Sequence, residues 1–381
     1  MKIEKIDENF LESNCLRSAG VTVYNVLEEP FEICGVIPPQ FEGDVFHRLS
    51  HEVEHKLNEH LVQISHHTSG GKIKFRTNSN YIGVYAELNS VSNFNHMSAI
   101  GFMGMDLYAR EDAGEYRHVY TFAPSSRENC IISKGMEFAD YYDECPEHLY
   151  DKSLTVWPVE AGKNKMRDIL LNLPLYSGVS KIYVILSEGA VVKKGTPFAN
   201  KFPIVIYGNS VTQGACASRP GLSWTNLLAQ RNNLDIINLG FSGRCKGEAE
   251  MAEYLSGIDA SVLISDYDWN SADERDLCTN LKRMLDIIRA KKPDLPILCL
   301  SRPLFMERQT SVRRRRAIEE TVLERINSGD RKIWFIDGSE VGKIFDAQDA
   351  ITVEGWHLND IGMFCEATMV EKVLVDVLKN S

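Results

Sequence analysis

Apolar and polar residues follow two different rhythms along the chain, and the change of rhythm divides it. From about Gly20 to Glu188 the pattern is one of short β-rich runs broken by turn residues: KIKFRTNS, YIGVYAEL, GMDLYARE, YRHVYTFA and KIYVILSE. Such runs predict antiparallel strands. EDAGE, between two of them, supplies a hairpin turn. Strands in this number without long helices between them predict an all-β sandwich with a jelly-roll-like character. One helical interruption is expected, roughly from Phe46 to Ile64.

Beyond a linker-like stretch, VVKKGTPFANK, short continuous apolar runs alternate with amphipathic segments. PIVIYG, DIINLG, SVLISDY, PILCLS and KIWFID read as five strands, with helices near Ser223–Arg231, Glu248–Leu255, Ala272–Ala290 and Val312–Ile326. Apolar strands alternating with helices predict a parallel sheet covered on both faces. The expected division is residues 1–195 for the β domain and 196–381 for an α/β domain, each long enough for its own core.

Ligands of such sheets bind beyond the carboxyl ends of the strands. Gly208-Asn209-Ser210 follows the first expected strand, Gly240-Phe241-Ser242-Gly243 the second, Asn270 the third, and Glu354-Gly355-Trp356-His357 comes after the fifth. Together they offer a hydroxyl, a closely approachable backbone, an amide, an imidazole and a carboxylate. Acyl transfer needs a nucleophile activated by a base, a group to orient that base, and donors for the oxyanion. Ser210 fits the nucleophile, His357 the base and Glu354 the orienting acid. The N–H groups of Ser210 and Gly243 and the Asn270 amide fit the oxyanion hole. Nine of the ten histidines lie between His47 and His148, which leaves His357 as the imidazole of the α/β half. The sequence around Ser210 is not the G-x-S-x-G elbow, because Thr212 replaces its second glycine.

YGNSVTQGACASRPG, NLGFSG and GWHLNDIG resemble, in order, the first, glycine and last sequence blocks of the SGNH (GDSL-like) hydrolases. GKIKFRTNSNYIGVYAEL and LNLPLYSGVSKIYVILSEGA are similar to the β-sandwich domain that precedes the hydrolase domain in one branch of that superfamily. The resemblance implies a flavodoxin-like α/β/α domain with a five-stranded parallel sheet. It implies Ser210 as nucleophile, Gly243 and Asn270 as oxyanion donors, and His357 as base. Two positions differ from the usual blocks: Glu354 stands where Asp is common, and Asp268 stands two positions before Asn270 where Gly is usual.

His51-Glu52-Val53-Glu54-His55 matches the H-E-x-x-H pattern of zinc proteases. A charged, exposed helix in a His-rich stretch is the simpler reading, with His66 and His67 as loop residues. Trp269 and Trp356 adjoin two site residues and suit stacking on sugar rings as well as core packing. Arg219 and Arg244 fit either substrate contact or loop support. The run Arg313 to Arg316, followed by Glu319, Glu320 and Glu324, reads as a solvated helix face.

Charge narrows the function classes. A formal net charge of −11 lacks the field that phosphate backbones require, so nucleic acid is not an expected partner. No run is long enough to span a bilayer, and the first residues carry no apolar export region, which points to the cytoplasm. Nine cysteines without CxxC pairs read mostly as small buried hydrophobes. The expectation is therefore a serine esterase without metal or organic cofactor, acting on small acyl esters, acetyl first, of carbohydrates or related metabolites. Two other readings are an acyltransferase using the same serine and a non-catalytic carbohydrate-binding protein.

Overall fold

Five runs of β-branched and aliphatic residues, buried on both faces, form the parallel sheet: β11 (Ile204–Gly208), β12 (Ile236–Gly240), β13 (Val262–Asp266), β14 (Ile297–Leu300) and β15 (Ile333–Ile336). Every neighbouring pair is parallel, and the order is β12-β11-β13-β14-β15. The order reverses at β11, so the crevice beyond Gly208 is the switch point at which such sheets bind ligands. The computed structural model describes residues 20–91, 94–111, 114–124, 130–138, 165–303, 309–344 and 350–380.

Helices cover both faces of this sheet, as the alternating pattern predicts: Trp224–Asn232, Ala249–Gly257, Glu274–Lys291, Gln309–Asn327 and Asp360–Lys379. The first four lie within a few residues of their expected spans, and the fifth is a helix to which the pattern assigned no span. Asp273 and Asn359 cap two of them through side-chain oxygens that accept first-turn N–H groups.

The preceding part is a sandwich of two antiparallel sheets. One has the order β1-β9-β4-β7: Val21–Asn25, Ser177–Ser187, Tyr81–Val91 and Ile131–Glu137. The other has the order β10-β3-β8-β5-β6: Val192–Lys193, Lys72–Thr77, Arg167–Asn172, Met105–Glu111 and Arg117–Phe122, with β2 (Glu32–Cys34) also on β3. Ile73, Phe75, Leu107, Ile169 and Leu171 of one sheet and Ile82, Val84, Val184 and Leu186 of the other meet in one buried cluster.

Three local expectations change. The expected helix over Phe46–Ile64 is two short ones, His51–Glu54 and Glu59–Ser65, because the Asn58 side chain accepts from Leu61 N–H and starts a new helix there. The linker-like VVKKGTPFANK is partly strand, since Val192 and Lys193 pair with Thr77 and Arg76. Arg314, in the run read as a solvated face, is buried, because carbonyls of the neighbouring loop accept its guanidinium. β5 and β6 do pair as antiparallel neighbours, while Asp112 and Ala113 of the turn between them, like His148, lie outside the described residues.

The GMDLY segment joins the two parts. Asp106 of β5 is fully buried, and its carboxylate accepts Asn172 Nδ2 (2.9 Å), Gly221 N–H (2.8 Å) and Arg219 Nη1 (2.8 Å). Tyr108 also meets Arg219. The loop after the candidate nucleophile is thus clamped by a strand of the sandwich. Arg219 is a loop support, the second of the two roles its sequence context left open.

Behind the sheet's switch point, Asp266 at the end of β13 and Glu366 in the last helix are both fully buried. Among the described residues neither Glu366 oxygen has a hydrogen-bond partner. Burial, with the Asp268 carboxylate adding to it at Asp266 and the Asp266 carboxylate at Glu366, pushes Asp266 up to about 8 and Glu366 well above the usual range. The folded chain therefore holds protons that the unfolded chain releases above about pH 4. Stability falls as pH rises through that window, by about 1.4 kcal/mol per pH unit for each extra proton held. Urea unfolding between about pH 5 and pH 8 should show Glu366→Gln losing less stability than the parent over the same rise, and equal slopes would contradict this.

Candidate active site

Gly208 ends β11, and a four-residue helix begins at Ser210. Asn209 shapes the turn: its Oδ1 accepts Val211 N–H at 2.7 Å and its Nδ2 donates to the Asp266 carbonyl at 2.7 Å. Thr212, the residue that breaks the G-x-S-x-G pattern, donates Oγ1–H to Asp266 Oδ2 at 2.5 Å. The hydroxyl of Ser210 is thereby fixed at the mouth of the crevice.

The loop from Ile351 to Asn359 closes on itself. Thr352 and Leu358 form an isolated bridge, Val353 N–H donates to the His357 carbonyl at 3.0 Å, and Asn359 N–H donates to the Ile351 carbonyl at 3.0 Å. Gly355 turns its tip at φ +84°, a conformation that suits glycine. This brings His357 Nε2 to 3.0 Å from Ser210 Oγ and places Glu354 Oε1 2.5 Å from His357 Nδ1. Glu354 Oε1 also accepts His357 N–H at 3.2 Å, so the longer carboxylate folds back on its own loop. A carboxylate at Nδ1 requires the proton there and leaves Nε2 to accept from the serine.

The glycine loop packs on the short helix that begins at Ser210. Ser242 N–H donates to Gln213 Oε1 at 3.0 Å, and Gly240 lies so close that a Cβ would sit 2.3 Å from Gln213 N. Gly243 adopts φ +69° with open space where a Cβ would project. Asn270 Oδ1 accepts Cys245 N–H of the same loop at 3.2 Å, which leaves its Nδ2 directed the other way. Trp269 and Trp356 meet edge to face, with centroids 5.7 Å apart and Trp356 46% exposed. Arg244, by contrast, is engaged by His60 Nδ1 at 2.5 Å.

Several contributors carry no pattern that the sequence makes visible. The His96 ring, from a loop of the sandwich, stacks on His357 with centroids 5.1 Å apart and planes 17° apart. Tyr176 donates its hydroxyl to the Ser210 carbonyl at 3.2 Å. His67 lies against Gln213, Nδ1 to Nε2 at 3.1 Å, and burial holds its pKa down at about 3, so it faces the helix as a neutral ring.

Asp268, standing where the resembled block has glycine, is fully buried and paired with Arg302. Arg302 lies 4.0 Å over the Trp269 ring, and its backbone N–H donates to Asp268 Oδ2 at 3.0 Å. Arg314 donates to the carbonyls of Asp268 (2.8 Å) and Ser271 (2.8 Å), on either side of Asn270. The carboxylate thus fixes, by ion pairing, the turn that carries Asn270. Asp268→Ala leaves the buried Arg302 without its counter-charge, and urea unfolding should show a loss of about 3–5 kcal/mol; a loss below about 1 kcal/mol would contradict this placement.

The model of the family described as GDSL-like lipase/acylhydrolase matches residues 201–375, and that described as the N-terminus of SGNH-hydrolase-type esterases matches residues 21–192. No curated protein sequence matches significantly. A Bacteroides ovatus structure described as a GDSL-like lipase is 25% identical, with TM-score 0.78 over 94% of this chain and 98% of that one. A salicylyl-acyltransferase from a tetracycline biosynthetic pathway is 18% identical, with TM-score 0.70 over 95% and 99% of the two chains. A family two carbohydrate esterase from Clostridium thermocellum is 14% identical, with TM-score 0.54 over 82% and 93%. The last two share the fold. With both family models matched in their expected order, the chain belongs to the SGNH (GDSL-like) hydrolases, serine hydrolases of ester bonds, in the branch that carries an N-terminal β domain.

Proposed function

We propose that the chain removes a small acyl group, acetyl first, from a hydroxyl of a sugar or related metabolite through an acyl-enzyme on Ser210. The observation that carries this reading is the continuous chain of contacts from Ser210 Oγ to His357 Nε2 and from His357 Nδ1 to Glu354 Oε1. His357 accepts the serine proton as Oγ attacks the ester carbonyl. Glu354 keeps the imidazole in the required tautomer and stabilises the imidazolium. The N–H groups of Ser210 and Gly243 and the Asn270 Nδ2 receive the oxyanion.

Collapse of the tetrahedral species returns the proton from His357 to the leaving alcohol. Water, deprotonated by the same nitrogen, then releases the acid and restores Ser210. Trp269 and Trp356 provide the aromatic surface on which an alcohol with a sugar ring would rest. No helix among the described residues is long and apolar enough to cross a membrane.

A second reading keeps the same acyl-enzyme and passes the acyl group to an acceptor alcohol. The likeness to the salicylyl-acyltransferase along nearly the whole chain favours testing it. Both readings are separated by incubating p-nitrophenyl acetate and an acetylated sugar with the enzyme, with and without added alcohols, and identifying the products. The expected outcome is free acetate as the main product in all cases, with turnover lowered at least about 10³-fold in Ser210→Ala and His357→Ala. Asn270→Ala should lower kcat by about 10²–10³-fold. New ester as the main product would favour transfer, and turnover unchanged in Ser210→Ala would remove both readings.

A further inference from the structure

The H-E-x-x-H stretch does not form a protease-type zinc site. Its helix ends at Glu54, leaving His55 as an exposed capping residue. His51 points elsewhere, towards Asp44 and His47, and these three form a cluster remote from any role in the proposed ester chemistry. One ligand atom from each lies within 4.8 Å of the other two.

The cluster contains an unresolved pairing. His47 is fully buried, and its Nδ1 lies 2.5 Å from the Leu49 carbonyl, which places the proton on that nitrogen. In the neutral ring Nε2 is then an acceptor. Among the described residues Nε2 has no hydrogen-bond partner, and it faces Asp44 Oδ2 at 4.0 Å. A buried lone pair and a carboxylate oxygen facing each other repel, and a cation or a proton donor between them relieves the repulsion. His51 Nε2 approaches the same oxygen at 3.2 Å, and the two imidazoles stack with centroids 4.3 Å apart.

The surroundings match the supporting shell of a metal centre. Histidine ligands commonly donate their second N–H to a carbonyl or a carboxylate. His47 has the Leu49 carbonyl for this, and His51 Nδ1 has Glu54 Oε2 at 3.0 Å. Glu54 is itself held by Ser65 Oγ at 2.8 Å and His66 Nε2 at 3.1 Å. Asp44 is fixed by two backbone N–H groups, those of Gln40 and Val45, each at 2.8 Å. Tetrahedral Zn²⁺ with bonds of about 2.0–2.1 Å sets ligand atoms about 3.3 Å apart. The Asp44–His51 edge is already at that spacing, and the Asp44–His47 edge closes with a shift of under about 1 Å.

We propose that Asp44, His47 and His51 form a site for Zn²⁺ or a similar late first-row divalent cation, with water completing the coordination. The metal fastens the Gln40–Ser65 segment, and that segment supports the glycine loop. Arg48, next to His47, donates to the Gly240 carbonyl at 2.5 Å and lies 4.8 Å over the Phe241 ring. His60 holds Arg244. The metal's role is architectural.

The test uses the full chain, stripped with chelator and titrated with Zn²⁺ and with Co²⁺. Bound metal is read by elemental analysis after dialysis, and stability by thermal unfolding. His96, Cys216 and His357 also lie within ligand distance of one another, so Cys216→Ser serves as a control for metal taken up there. The expected result is one tight equivalent in the parent and in Cys216→Ser, with a raised Tm and Co²⁺ bands lacking thiolate charge transfer. His51→Gln, at a half-buried position, should lose this binding, and Glu54→Gln should weaken it about 10–100-fold. Equal binding in His51→Gln, loss in Cys216→Ser alone, or no tight equivalent in the parent would each overturn the proposal.

Discussion

The contact between Ser210 Oγ and His357 Nε2 joins residues 147 positions apart, and the rest of the architecture can be understood by what it does for the two ends. At one end, β11 delivers the serine to the point where the strand order reverses, and the Asn209 amide bonds on both sides of the turn prevent it from rotating away. At the other, a loop closed by the Thr352–Leu358 bridge is anchored by Asn359, which both closes the loop and caps the last helix. A shift of about 1 Å between such partners is enough to cost about two orders of magnitude in rate. Rigid fastening at both ends is therefore a requirement of the chemistry.

The N-terminal sandwich takes part in that fastening. Tyr176 holds the carbonyl of Ser210, His67 and Ser69 hold Gln213, His96 stacks on the imidazole, and Asp106 clamps the loop that follows the serine through Arg219 and Gly221. Arg48 reaches the end of β12 from the same side. These contacts, with a buried cluster that runs from the sandwich into the α/β half, show what the preceding part does for the hydrolase half: it contributes the outer wall of the site and part of its support.

The sequence made the strands and helices of the α/β half legible because their periods are strong and their boundaries carry caps such as Asp273 and Asn359. It also placed Ser210 at the end of the first parallel strand and Glu354 and His357 beyond the fifth, and the fold brings those three into contact. Less was legible where a residue's meaning depends on its neighbours in space. Arg314 lies in a charged run that suits solvent, and only the carbonyls on either side of Asn270 make it a buried support. Asp268 looks like a departure from a motif until Arg302 is seen beside it. His96 sits among many histidines of the other half, and nothing in its local spacing indicates that its ring reaches His357. Asn58 shows the converse case, a capping residue within a helical pattern whose local hydrogen bond outweighed the periodicity.

The central claim is that one hydroxyl, at the end of β11, is nucleophilic because a distant imidazole reaches it. Reaction with a fluorophosphonate followed by peptide mass spectrometry tests this without assuming any substrate. The account predicts a single phosphonylated residue, Ser210, with labelling greatly slowed when His357 is replaced by Ala. Stoichiometric label on any other residue, or equally fast labelling of Ser210 without the imidazole, would contradict it.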